Sequence, residues 1–136
     1  MHTVSYFPLA NGLRLVTVQR PHLHRAVIAA YVSVGSRHET PATNGLSHFL
    51  EHMLFNGTTR FKGQDIVNFL ERNGMEFGAD VNASTSFDET VYMLKISTDD
   101  KKTVETAFDI LQDWTNSATI ASRPVASHVG VCRLMV

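Results

Sequence analysis

The stretch "LSHFLEHMLFNGT", residues 46–58, decides how the rest of the chain is read. It is an apolar, helix-like run, yet it carries His48, Glu51 and His52. Residues four apart on a helix share a face, with Cβ atoms about 5–6 Å apart. His48 and His52 can therefore turn imidazole nitrogens to one ion at about 2.0–2.1 Å. Glu51 borders that face and need not bind the ion. It can hold a water on the metal and take its proton, whose pKa the ion lowers from about 15.7 towards 7. The competing reading is a core helix with hydrogen-bonded histidines. Leu46, Phe49, Leu50, Met53 and Leu54 already supply a core face without them, and chance places an HxxEH match in roughly one such chain per hundred. The metal reading is therefore preferred. It is the better-known HExxH helix with its order reversed.

Working outward, "VSYFPLANGLRLVTVQ" holds two short apolar runs around Asn11-Gly12, a dipeptide suited to the positive φ of a tight hairpin. "RAVIAAYVSVGS", residues 25–36, is β-branched and reads as a buried strand. "RHETPATNG" is a loop, with Thr43 or Asn44 expected to cap the helix that runs from about Gly45 to Phe55. "QDIVNFLERNG", residues 64–74, predicts a second amphipathic helix stopped by Gly74. "MEFGADVNASTSFDETVYMLKIS" predicts two strands joined near Ser86 to Glu89. In "DDKKTVETAFDILQDWTNS", Val104, Ala107, Phe108, Leu111 and Trp114 recur at helical spacing, and Phe108 and Trp114 are expected in the core. Strands, two helices, strands and a helix argue for an α+β fold with helices packed on a mainly antiparallel sheet.

The chain has 136 residues, 43% hydrophobic and 18% charged, which suits one folded core. A net charge of -1 gives no electrostatic case for a nucleic acid partner. No apolar run approaches a membrane span. The opening residues lack the basic end and apolar stretch of a signal peptide, which leaves the bacterial cytoplasm and periplasm both open. Cys132 is alone, so no internal disulfide is expected. Residues 117–136 contain none of the 13 acidic residues, and their apolar positions fit no period.

Four motifs in order resemble the pitrilysin/insulinase family of zinc peptidases, which carry H-x-x-E-H. They are "LANGLRLV", "VSVGSRHE", "NGLSHFLEHMLFNGT" and "FGADVNASTSFDETVYML", between about Phe7 and Ile120. The last looks most like the large bacterial members. The resemblance implies that His48 and His52 bind zinc, that Glu51 is the general base, and that Asn82 and Ala83 lie on a strand that pairs with substrate backbone. Without it, "VNASTS" would read as an ordinary edge strand. The implied partners are a peptide or unfolded protein substrate and a complementary domain or chain.

The family's third zinc ligand is a glutamate on a later helix. Its place here falls near His128, and no Asp or Glu follows Asp113. His128 itself reads as a solvent-facing histidine in an irregular tail. Residues 1–120 are therefore read as the N-terminal part of a zinc peptidase catalytic domain, incomplete relative to the pitrilysin type, and 121–136 as a divergent tail, as a truncated or frame-shifted product would give. The expected function is a zinc-dependent metalloendopeptidase impaired by loss of that ligand. The alternative is a catalytically silent domain that binds peptide or a partner chain. A hydrolase of another class on the same histidines fits the strand motifs poorly. Incompleteness also implies exposed apolar surface over the sheet and residues 100–116.

Overall fold

In the computed structural model, residues 3–76 and 78–119 are described. Strands β1 (Thr3–Pro8) and β2 (Arg14–Gln19) form an antiparallel hairpin. Gly12 sits at φ 86° in its turn, where the Asn11 side chain accepts from the Leu13 N–H at 3.1 Å. Next come β3 (Arg25–Val32), a short 3-10 turn at Ser36–His38, α1 (Leu46–Leu54) and α2 (Gly63–Arg72). Strands β4 (Val81–Thr85) and β5 (Thr90–Ser97) and helix α3 (Lys101–Asn116) follow. The main sheet has the order β3-β5-β4, with antiparallel pairing throughout. The α+β expectation holds, with two corrections of detail. The strands divide between two sheets, and each predicted helix begins one or two residues later or ends earlier than its pattern.

Strand alternation sorts the main sheet into two faces. Thr90, Tyr92, Leu94 and Ile96 of β5 point inward and are buried, flanked by Val81 of β4 and the half-buried Ile28 of β3. Against that face pack Leu54 of α1, Ile66 and Leu70 of α2, and Ala107, Ile110, Leu111 and Trp114 of α3. Helix α2 stops as its pattern predicts: Gly74 takes φ 63°, and the Met75 N–H returns to the Leu70 carbonyl at 2.9 Å. Asp100 caps α3 by accepting from the Thr103 N–H at 2.9 Å.

Several apolar side chains expected inside lie outside, among them Val27 at 62% and Tyr31 at 63% exposed on β3, the strand expected to be buried. Leu46 is 54% exposed, Leu50 38% and Phe108 52%. The apolar stripe of α1 is narrower than its composition, because only Met53 and Leu54 reach the closed core. Exposed Val4, Tyr6, Val16 and Val18 also make one face of the β1–β2 hairpin apolar. No helix among the described residues is long and apolar enough to cross a membrane.

One polar cluster ties the segment after α1 to α3. Asp113 is 3% exposed and accepts from Thr58 Oγ1 at 2.7 Å, the Arg60 N–H at 3.2 Å and Arg60 Nε at 2.6 Å. Burial pushes its carboxyl up, but these donors and the Arg60 charge outweigh burial and hold it below the ordinary 3.8. Bridges between Gly57 and Thr119 and between Thr59 and Ser117 close the same junction. Because the folded value is depressed, the contribution of Asp113 is complete above pH 3.8 and fades as pH falls through the lower folded value. Asp113→Ala should lower unfolding free energy by about 2 kcal/mol at neutral pH. Urea unfolding of wild type and variant at a series of pH values should show that gap narrowing in acid.

Candidate metal and peptide site

Helix α1 begins where backbone geometry allows and a distant carboxylate helps. Gly45 precedes its first turn at φ 84°, a conformation that glycine takes without strain. Neither Thr43 nor Asn44 caps the helix; Thr43 instead accepts from the Thr40 N–H at 2.8 Å within the preceding loop. The cap is Glu39, whose two carboxylate oxygens accept from the Gly45 N–H at 2.6 Å and the Ser47 N–H at 2.7 Å. Burial raises its carboxyl, but the hydrogen bonds from Ser47 and Gly45 and the nearby His48 bring the balance below 4.5. A negative charge at a helix N-terminus also meets the positive end of the helix dipole.

One turn further on, His48 Nε2 and His52 Nε2 stand 3.0 Å apart, with ring centroids at 4.7 Å. Ligand atoms of His48, Glu51 and His52 all lie within 4.8 Å of one another. Both histidines are half-buried and Glu51 is buried. This donor set fits a zinc-like cation. Two nitrogens about 2.0–2.1 Å from a tetrahedral ion would stand about 3.3 Å apart, within a few tenths of the separation seen. Two imidazoles are the ligand chemistry of a borderline-soft divalent ion, and the carboxylate of Glu51 stands beside them. Among the described residues the cluster has these three members only. His128 lies outside the described residues.

Glu51 meets strand β4. Thr85 Oγ1 donates to Glu51 Oε2 at 2.5 Å. Tyr92 of β5 lies behind it, and burial, with the Glu51 charge added, pushes the Tyr92 hydroxyl up to about 12. The phenol therefore stays protonated across the working pH range.

Asn82 and Ala83 lie on β4, which pairs with β5 on one side; among the described residues no strand pairs with its other edge. The register places the two residues differently. Hydrogen bonds from Lys95 N–H to the Asp80 carbonyl and from Ser86 N–H to the Glu89 carbonyl place residues 80 and 86 in bonded pairs with β5. Antiparallel ladders alternate, so 82 and 84 also bond towards β5, while 81, 83 and 85 turn their N–H and C=O groups to the open edge. The Val81 carbonyl confirms this by accepting from the Gly78 N–H at 2.8 Å. Ala83 thus offers backbone to the open edge, and its side chain shares with Thr85 the sheet face towards α1. Asn82 offers an exposed side chain on the opposite face.

A clasp holds the two halves of the site together. Ser36 and Arg37 donate backbone N–H groups to the carbonyls of Ser86 and Phe87 at 3.0 and 2.9 Å, and Thr90 Oγ1 donates to the Val34 carbonyl at 2.9 Å. A Cβ on Gly35 would come within 2.2 Å of the Ser86 carbonyl oxygen, so only glycine fits the crossing. Several other acids and one histidine are taken up in ion pairs away from the site. Asp80 pairs with Lys95, Asp88 with Arg37, and His24 with Asp99.

Sequence reading placed His48, Glu51 and His52 together and missed Glu39 and Thr85. Period-two alternation does put Thr85 on the same sheet face as Ala83. No spacing rule, however, links either missed residue to α1.

With this geometry in hand, the relatives fall into place. Residues 14–134 match the insulinase family (peptidase family M16). The chain is 34% identical over 129 residues to the probable zinc protease PqqL of Haemophilus influenzae, covering 94% of this chain and 14% of that protein. It is 37% identical over 126 residues to the probable zinc protease PqqL of Escherichia coli strain K12, covering 90% and 13%. The crystal structure of the first half of the periplasmic protease PqqL from Escherichia coli superposes with a TM-score of 0.88 at 35% identity, over 94% of this chain and 28% of that one. The chain belongs to the insulinase (M16) peptidase family, and it spans about one seventh of the length of these curated relatives.

Glu39→Ala should fray the first turn of α1 and cost about 1 kcal/mol of stability. Thermal unfolding should register the loss, and hydrogen exchange should place it at the amides of Gly45 and Ser47.

Proposed function

We propose that this chain carries the metal-binding part of a zinc-dependent metalloendopeptidase domain, with His48 and His52 as zinc ligands and Glu51 as general base. The observation that carries this reading is the convergence of the His48, Glu51 and His52 ligand atoms within 4.8 Å, beside the open edge of β4. The zinc protease relatives support the same reading. When bound, zinc would supply a Lewis acid that polarises a peptide carbonyl and makes water easier to deprotonate.

The remaining work falls to protein groups. Glu51 accepts the proton of the attacking water at a carboxylate oxygen and passes it to the leaving amine. The backbone of Ala83 pairs with an extended peptide, as strand addition to a sheet edge does, and Asn82 borders the same strand. Main-chain pairing tolerates many side chains, so a peptide or unfolded protein segment is the substrate class. On this reading residues 1–120 are the N-terminal part of the catalytic domain. The acid-free residues 121–136 are read as a divergent tail, although the family match continues to residue 134.

A second reading, a catalytically silent domain that binds peptide or a partner chain, is favoured by one observation. Catalytic zinc sites normally have three protein ligands, and no Asp or Glu follows Asp113. Metal binding separates the proposal from a plain structural helix. The purified chain should take up zinc, and His48→Ala should abolish stoichiometric uptake measured by metal analysis. A wild-type chain that binds no zinc would sink the proposal. In a full-length protein carrying this domain, Glu51→Gln should retain zinc and lose most hydrolysis, because the amide keeps the shape but accepts no proton.

The 136-residue chain alone should show little peptidase activity. Two ligands position an ion less firmly than three, and a misplacement of about 1 Å costs roughly a hundredfold. A fragment that supplies a carboxylate ligand and the substrate-enclosing surface of a complementary half should restore some. A chelator-sensitive rate from the isolated chain would point instead to His128 or a nearby acid as a substitute ligand.

A further inference from the structure

We infer that Thr85 is a positioning residue for Glu51, an inference that rests on the peptidase reading above. Glu51 is 9% exposed, and Thr85 Oγ1 donates to its Oε2 at 2.5 Å. A charge-assisted bond of that length is short and strongly directional. It occupies one carboxylate oxygen and leaves Oε1 as the oxygen that can accept a proton. Without it, the carboxylate could rotate about its last torsion, which is broad for glutamate.

Thr85 is suited to the task by where it sits. It is the last residue of β4, paired in register with Thr90 of β5. Thr90 is itself fixed by its bond to the Val34 carbonyl. The next residue, Ser86, is held on both backbone groups, its carbonyl accepting from Ser36 and its N–H donating to Glu89. The backbone under the hydroxyl therefore has little freedom, and β-branching restricts χ1. Two residues earlier on the same strand, Ala83 presents its backbone to the open edge. One short strand thus aligns the peptide at Ala83 and the base at Thr85. A shift of β4 along its own axis would displace both together.

The alternative is that the hydroxyl only satisfies a buried carboxylate and leaves catalysis alone. Thr85→Val keeps the shape and branching and removes the donor; Thr85→Ser keeps the donor. In a full-length protein carrying this domain, Thr85→Val should lower kcat by about 10- to 100-fold with KM and zinc content unchanged, and Thr85→Ser should recover most of it. Wild-type kcat in Thr85→Val overturns the inference. So does a joint loss of kcat and zinc that Thr85→Ser fails to recover. A second measurement needs no activity. In the zinc-free 136-residue chain, the Tm losses of Thr85→Val and Glu51→Leu should be strongly non-additive in the double variant. Additive losses would show that the two groups are not coupled, and would overturn the inference. If the wild-type protein hydrolyses no peptide, the peptidase reading fails, while the stability cycle still reports on the Thr85–Glu51 bond.

Discussion

A carboxylate is removed from water at a high cost unless donors replace the water, and the burial of Glu51 organises this molecule. The helix cannot supply that donor, because its own N–H groups are spent along its axis. The donor comes from Thr85 on a different element. The metal face of α1 is therefore defined only once β4 is in place. β4 in turn is fixed by β5, and β5 by the core that all three helices share. A local HxxEH pattern depends in this way on the tertiary fold.

The same dependence explains the polar junctions around the core. The clasp of residues 34–37 against 86–90 sets the distance between the start of α1 and the end of β4, the two ends of the candidate site. Asp113 with Thr58 and Arg60 fixes the other end of α1 by tying the chain that leaves it to α3. Glu39 orients the first turn. Two of these junctions hold a buried or half-buried carboxylate among directed donors, and the clasp pairs backbone groups and a hydroxyl in the same way. Such contacts are specific in geometry where apolar packing alone is permissive. A site that must hold two imidazole nitrogens 3.0 Å apart gains from that specificity.

Much of this was legible in the sequence because the physics is local. The i, i+4 histidines, the Gly74 stop, the Asn11-Gly12 turn and the period of α3 are all set within one or two turns of chain. The misreadings share the opposite cause. Thr43 and Asn44 looked like caps for α1 because capping is usually local, but Glu39 reaches in from a loop folded back by the Ser36–His38 turn. Leu46, Leu50 and Phe108 looked like core because pattern records apolarity and not what lies opposite. Thr85 could not be assigned to Glu51 from sequence, since the two are 34 positions apart and joined only by tertiary folding. Asn82 and Ala83 came from family resemblance alone, and their different placements on the strand emerged from the ladder register.

The β1–β2 hairpin makes the final contrast. Its strands pair with each other and touch other elements little. Val4 faces Val18 and Tyr6 faces Val16, so its apolar pairs are internal to the ribbon and still exposed to solvent. A two-stranded ribbon is marginal by itself. The strands and helices that carry and brace His48, Glu51 and His52 run from β3 onward, and the hydrogen bonds named above for Glu51 and for the start of α1 come from Glu39 and Thr85 and not from the hairpin. The geometry of the candidate site is thus insulated from the least anchored part of the structure. Separation of this kind lets β1 and β2 adjust to whatever packs beside them without moving the side chains of His48, Glu51 and His52.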